Sequence, residues 1–355
     1  MRRRRFLVLA AGAAAVAGCA ARPARERPLV GRVSIVASTA AGGSWEAVAR
    51  VLSWALRREG LVRDVDIDYR HGAPAAVATA ALGGDRAGAT PIGPATPTHR
   101  AGARWLITGV PMLAAAEMDD SGEILSRATP IARLVGEREV LVVPAVSRLR
   151  DFEGFAAELR RDAEGPLVAG GPLGGAEHVL FGMIAQGLGV DARRVQYAGY
   201  GGPDAVASAV LGGRAAAGIG PVHQWERRLG SGDARALAVS SAARVEGVDA
   251  PSLLECGVRV DYADWCGLLG PGGMSDDERA LAVEVCDRLG DSPYWREACR
   301  GREWISHHLS GDGFAQWLGG ETIRMRAALR DLGLLNRPDV IHANTNCWGD
   351  CVDHQ

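Results

Sequence analysis

The sequence predicts an α/β protein of two lobes with a ligand cleft between them, and three observations carry that reading. The 355 residues are 47% hydrophobic, enough to bury two sizeable cores. From Val33 onward, short apolar runs that read as strands alternate with stretches whose apolar residues recur at helical spacing. Two of the runs, Glu139 to Val143 and one near Trp265, read as strands that carry the chain out of a first lobe and back into it. The expected division is a first lobe of residues 31–140 and 266–335 and a second of residues 141–265. Alternation of this kind implies a parallel-type architecture, with the cleft where the carboxyl ends of strands face each other.

The elements follow in order. Val33 to Ser38 is strand-like and leads through a glycine loop, Thr39 to Glu46, into a helix. In that helix Trp45, Val48, Ala49, Leu52, Ala55 and Leu56 share one face, with Arg50, Ser53, Arg57 and Arg58 on the other. Val65 to Tyr69 is a second strand, and Gly72 to Leu82 a helix of small residues. Gly83 to Arg104, rich in Gly, Pro, Thr and Ala, reads as a loop. Trp105 to Thr108 is a buried strand ending in Gly109-Val-Pro-Met112. Asp151 starts a helix with Phe152, Phe155 and Leu159 facing inward, and Glu177, Leu180, Phe181, Ile184 and Leu188 mark another. Ser275-Asp-Asp-Glu278 is a capping box. Ser292-Pro293, and Phe314 to Leu332 ended by Gly333, complete a helical C-terminal layer. His307-His308 is expected on a surface helix.

The segment Val195 to Gly220 packs strand, glycine loop, helix, turn and second strand into 26 residues. Gly199, Gly201 and Gly202 allow close approach of backbone to a ligand, and Pro203-Asp204 suits a helix's first turn. Ala205, Val206, Ala209 and Val210 form an apolar stripe. Gly212-Gly213 ends the helix before the apolar run Ala215 to Ile219.

This order of motifs resembles the substrate-binding proteins of tripartite tricarboxylate transporters. Thr39 to Glu46 is similar to that family's first glycine loop, Pro130 to Pro144 to its first crossover strand, and Gly170 to His178 to its second ligand loop. Gly232 to Ser241, Asp249 to Gly257 and Trp265 to Gly273 follow in register, so the resemblance spans residues 31–335. It implies a two-lobed periplasmic-binding-protein-like fold of type II and a receptor, not an enzyme, that captures a small di- or tricarboxylate or related organic acid. Membrane permease subunits of a tripartite transporter are the implied partners. The ligand would be held by Ala41, Gly42, Gly43, Ser44 and Gly109 of one lobe and by Gly174, Gly175, Ala176, Tyr200, Gly201 and Gly202 of the other. Helix N-termini preceded by glycines offer oriented N–H groups and a favourable dipole to a carboxylate. Two positions depart from the family pattern: Glu46, beside the bulky Trp45, stands where Asp is usual, and Gly175 replaces a frequent Ser. His178 is expected to pack or cap within its helix. The alternative reading is a ligand-sensing surface protein that uses the same cleft to signal to a partner without transport.

Residues Met1 to Cys19 combine a basic start, a short apolar stretch and a small-residue site before Cys, which reads as an export signal. Phe6 to Gly18 is too short to span a bilayer. Val16-Ala-Gly-Cys19 resembles a lipobox, in which Cys19 would receive the lipid and anchor the chain to the outer face of the cytoplasmic membrane, with Ala20 to Pro28 as a tether. Either the twin-arginine or the general secretory route fits the four arginines. Without that leader the 40 basic residues fall by four against 42 acidic ones, a formal charge of −6, so no nucleic-acid partner is implied. The chain contains no lysine, which excludes P-loop and Schiff-base chemistry. A Gly-x-Ser-x-Gly elbow, a His-Glu-x-x-His helix and a dinucleotide fingerprint are all absent from the sequence, and no cofactor is expected. Six cysteines follow Cys19; Cys286 with Cys299, then Cys256 with Cys266, are the favoured disulfides, with buried thiols as the alternative for each. The tail from Asn336 carries His342, Cys347, Cys351 and His354, read as a mobile tail with a small disulfide or free thiols rather than a metal site.

Overall fold

The computed structural model describes residues 28–38, 43–70, 72, 74–82, 103–119 and 121–335. The chain runs β1 (Val30–Ser38), α1 (Ser44–Glu59), β2 (Val62–Arg70), α2 (Pro74–Leu82), β3 (Ala103–Gly109), α3 (Val110–Met118), α4 (Gly122–Arg127) and β4 (Thr129–Glu137). It continues through β5 (Glu139–Pro144), α5 (Phe152–Arg161), β6 (Val168–Gly170), α6 (Ala176–Gly187), β7 (Tyr197–Gly199), α7 (Pro203–Leu211), β8 (Ala217–Pro221), α8 (Val222–Gly230) and β9 (Ala234–Val239). It ends with β10 (Asp264–Gly270), α9 (Asp276–Asp291), α10 (Pro293–Arg300), β11 (Ile305–Ser310) and α11 (Gly311–Asp331). A six-stranded sheet, ordered β11-β4-β10-β3-β1-β2, and a five-stranded sheet, ordered β7-β6-β8-β5-β9, form two lobes. A single residue, Arg138, links β4 of the first sheet to β5 of the second, and the chain returns at β10.

The sheets are mixed rather than parallel. β1 pairs in parallel with β2 and β3, and β6 with β7 and β8, but β10 runs antiparallel to β3 and β4, and β5 to β8 and β9. The cause is the connection itself: β5 and β10 both start at the junction of the lobes and run outward, counter to strands that end there.

Local signals set most helix boundaries. Asp151 caps α5 by accepting from the Gly154 amide at 2.8 Å, Ser275 and Glu278 close the expected capping box, and Ser292 caps α10. Apolar faces then bury: Val48, Leu52 and Leu56 of α1 are fully covered, as are Phe155 and Leu159 of α5 and Phe181 and Ile184 of α6. One apolar cluster runs through the first lobe and into α5 and α6, while a smaller one, with Val206, Val210 and Trp225, lies under α7 and α8.

Several expectations are corrected. His307 and His308 lie on β11, an edge strand antiparallel to β4, because Ile305 to Ser310 extends along that sheet; His308 Nε2 lies 2.8 Å from Asp287. Ser53 is buried within α1, whose wide apolar face covers β2 and reaches α10. Ala103 and Arg104 already belong to β3, and Val110 begins a helix instead of extending the strand, with Pro111 in its first turn. Cys256, Cys266, Cys286 and Cys299 are free thiols, so neither favoured disulfide forms. Cys286 and Cys299 serve as small apolar core residues, and burial pushes the Cys299 thiol up to about 11.

Candidate ligand cleft

The glycine-led helix starts expected to meet a ligand are each built differently. Gly43 is the extended N-cap of α1 and its carbonyl receives the Glu46 and Ala47 amides; no side chain caps this end. Ser44 opens the helix, and Glu46 pairs with Arg50. Ala41 and Gly42 lie outside the described residues, as does Cys19. Trp45 is buried against Gly109, the residue that ends β3 and caps α3. A Cβ on Gly109 would stand 2.5 Å from the Trp265 carbonyl oxygen and 3.2 Å from the Trp45 ring. Glycine at 109 is thus required by close packing of α1, β3 and β10.

At the start of α6, the amides of the expected anion loop are engaged internally. Gly174, at φ 75°, donates to His178 Nδ1 at 3.1 Å, and Gly175 donates to the Pro172 carbonyl at 2.9 Å. Ala176 is the first residue of the helix and is buried. His178 stacks on Tyr197 with ring centres 4.1 Å apart, so it both packs and caps. Burial drives its pKa down to about 4, and it stays neutral at physiological pH. Glu177 turns back toward Gly171; burial raises its carboxyl to about 7, and the amides of Glu177 and Gly171 pull in the opposite direction. A carboxylate of the chain's own therefore sits at this helix start.

The third loop is partly open. Tyr200 donates its amide to the Gly170 carbonyl at 2.9 Å, and its side chain packs against the smaller apolar cluster of the second lobe. Gly201 is exposed, and Gly202 is the extended N-cap of α7, without a side-chain cap. Asp204 accepts from Arg228 at 3.0 Å.

Sequence reasoning missed the acidic groups where the lobes join. Glu137 ends β4, accepts from the Trp304 indole and lies 3.5 Å from His223 Nδ1. Glu139 starts β5, is fully buried, and among the described residues no donor reaches either oxygen. Asp264 Oδ1 and the Tyr262 hydroxyl are likewise buried without a hydrogen-bond partner. Burial first, then Glu177, Asp264 and Glu137, holds the Glu139 carboxyl well above the usual range; Asp264 is raised in the same way by burial, Glu177, Glu137 and Glu321. The signal available in the sequence was the pair Glu137 and Glu139 flanking Arg138 inside an otherwise apolar stretch. Among the described residues no group of three or more His, Cys, Asp or Glu is placed to hold a metal ion, and no helix is long and apolar enough to cross a membrane.

Solved solute-binding proteins share this architecture. A TctC solute-binding protein from Polaromonas is 18% identical, with a TM-score of 0.62 over 85% of this chain and 98% of its own. The periplasmic binding protein BugD is 19% identical, with a TM-score of 0.68 over 86% of this chain and 98% of its own. MatC from Rhodopseudomonas palustris, solved with bound malate, is 18% identical, with a TM-score of 0.65 over 84% of this chain and 99% of its own. The chain therefore has the two-lobed α/β fold of periplasmic solute-binding proteins, as its sequence led us to expect. No protein-family model matches the sequence, and no curated protein matches it.

Proposed function

We propose that this chain is an exported, lipid-anchored solute receptor of the tripartite tricarboxylate transporter type, which captures a small organic acid between its lobes and delivers it to a membrane permease. The observation that carries the reading is the likeness over almost the full length of solute-binding proteins, one of them holding malate. It is supported by the uncapped N-termini of α1 and α7, which follow strand ends and offer N–H groups and a dipole to a carboxylate. Export and anchoring rest on the leader ending in Val16-Ala-Gly-Cys19.

A thermal-shift screen of the chain from Ala20 onward against di- and tricarboxylates, amino acids and aromatic acids tests this. A ligand at a hundred times its Kd stabilises by about 2.7 kcal/mol, a shift of a few degrees. No shift with any acid sinks the receptor reading. Cys19→Ala should release the protein into the soluble fraction or stall its processing; normal processing and membrane attachment in that variant would remove the anchor from the proposal.

A further inference from the structure

We infer that the junction between the lobes binds an organic cation, an ammonium or amidinium group, between the carboxyl groups of Glu139 and Asp264. The inference rests on the reading of the chain as a small-molecule receptor and narrows its ligand class to acids that also carry an amine.

Glu139 is the first residue of the outgoing crossover strand, and Asp264 the first of the returning one. Each therefore stands where the two sheets approach, on strands fixed at both ends by their neighbours. Glu139 is fully buried, yet both of its oxygens lack a donor among the described residues. A carboxyl in that state forfeits its hydration without replacement, a cost that folded proteins rarely leave uncompensated. Asp264 Oδ1 and the Tyr262 hydroxyl share the condition. Two separate stretches, the start of β5 and the chain entering β10, thus place buried polar oxygens without hydrogen-bond partners at one junction.

The charged groups that raise these two carboxyls are acidic, while the Arg138 guanidinium at the same crossover is engaged by Asp261 and the Tyr262 carbonyl. The groups that act on Glu139 are Glu177 of α6, Asp264 of β10 and Glu137 of β4. Those that act on Asp264 are Glu177, Glu137 and Glu321 of α11, while the phenols of Tyr197 and Tyr262 face the same acids. A carboxylate brought here would add a further acceptor to a site that lacks donors, whereas a cation would supply the missing donors and favour the ionised form of the acids. Burial first, then neighbouring acids, raises both carboxyls and so favours their protonated form; capture of a cation should shift them toward the ionised form and release protons to solvent. A metal ion fits less well, since no three ligating side chains among the described residues converge in coordinating positions.

The test is titration calorimetry of the chain from Ala20 onward with matched probes: γ-aminobutyrate against butyrate, δ-aminovalerate against valerate, then succinate, putrescine and calcium chloride. An amino acid binding at least tenfold tighter than its deamino partner is the expected result, with proton release in buffers of differing ionisation heat. Glu139→Gln and Asp264→Asn should each reduce that preference at least tenfold. Both variants should melt no lower than the parent, because each replaces a group that burial disfavours; this separates lost contact from lost fold. Succinate or butyrate binding as tightly as the amino acids overturns the inference and leaves the carboxylate-receptor reading standing. Putrescine binding without any acid upholds the cation site and removes the carboxylate class. Preference for the amine surviving in both variants, calcium binding in place of the amines, or no binding by any probe overturns the inference.

Discussion

The Glu177 carboxylate is folded over Gly171, so that a Cβ at Gly171 would stand 2.6 Å from Oε2 and 2.7 Å from Oε1. The small residue leaves room for the chain's own carboxyl group in a loop that the family resemblance assigns to a ligand. Two variants separate these roles. Gly171→Ala should push the carboxyl group aside and destabilise by about 1 kcal/mol, the loss of its hydrogen bonds to the loop amides, read from denaturant unfolding. Glu177→Ala should free the loop for an external carboxylate and tighten binding of succinate or malate several-fold in calorimetry. Unchanged affinity in a folded Glu177→Ala protein would mean that the carboxylate binds away from α6.

Neighbouring residues of α6 also titrate in opposite directions. Burial raises Glu177 to about 7 from its usual 4.5, so between those values the folded protein holds a proton that the unfolded chain has released. Stability from this group falls as pH rises through that window, by up to about 3 kcal/mol. Burial lowers His178 to about 4 from 6.5, and here the unfolded chain binds the extra proton. Its contribution is complete above 6.5 and is lost as pH falls toward 4, on the same order. The two slopes oppose each other from about 4.5 to 6.5, and the raised acids Glu139 and Asp264 add to the Glu177 side. The wild-type melting temperature should therefore peak on the acid side of neutrality. Glu177→Gln should shift the peak upward in pH, and His178→Gln should steepen the fall between 4.5 and 7. Parallel melting curves for all three proteins would refute the assignment.

Much of the fold was legible because its signals are local. Asp151, Ser275 and Ser292 act through bonds to residues two or three positions away, and the helices they start lie where expected. What was hidden depends on partners distant in sequence or on loop geometry that composition does not reveal. His307 and His308 read as helical until β4 offers an edge. Gly174 and Gly175 read as anion donors because no local rule says that His178 and Pro172 take their amides. Glu139 looks like an ordinary polar interruption, and only the meeting of two sheets makes it buried and unpaired. The direction of β5 and β10 was also beyond the periodicity, which distinguishes strand from helix but carries no sense of travel.

The free thiols give a direct chemical test. Cys256 is half-buried, whereas Cys266, Cys286 and Cys299 are buried, and burial raises the pKa of each. In the native protein, iodoacetamide should label Cys256 slowly and first, and the other three only after unfolding, as followed by peptide mass. A reductant should leave the melting temperature unchanged in a chain ending at Leu335. A disulfide between Cys286 and Cys299 would instead show as a loss of about 2 kcal/mol or more on reduction.

The crossover is fastened by a compact network centred on Ser240. The Glu139 amide donates to Ser240 Oγ at 2.9 Å, Ser240 Oγ donates to the Tyr262 carbonyl at 2.8 Å, and the Tyr262 amide donates to the Ser240 carbonyl at 2.6 Å. Arg138 adds donors to the Tyr262 carbonyl at 2.9 Å and to Asp261 at 2.5 Å. Outgoing and returning chains are thus bonded to each other and to the residue that follows β9, which restricts movement of one lobe against the other. Ser240→Ala leaves a buried amide and a carbonyl without this partner and should cost about 1 to 3 kcal/mol. Arg138→Lys keeps the charge but loses the planar fork, so the effect should be smaller. Hydrogen exchange at the amides of Glu139 and Tyr262 should accelerate in Ser240→Ala while amides in the middle of β1 and β8 keep their protection. Uniform acceleration across both sheets would make Ser240 a general packing residue, and exchange unchanged at Glu139 and Tyr262 would refute its role in fastening the crossover.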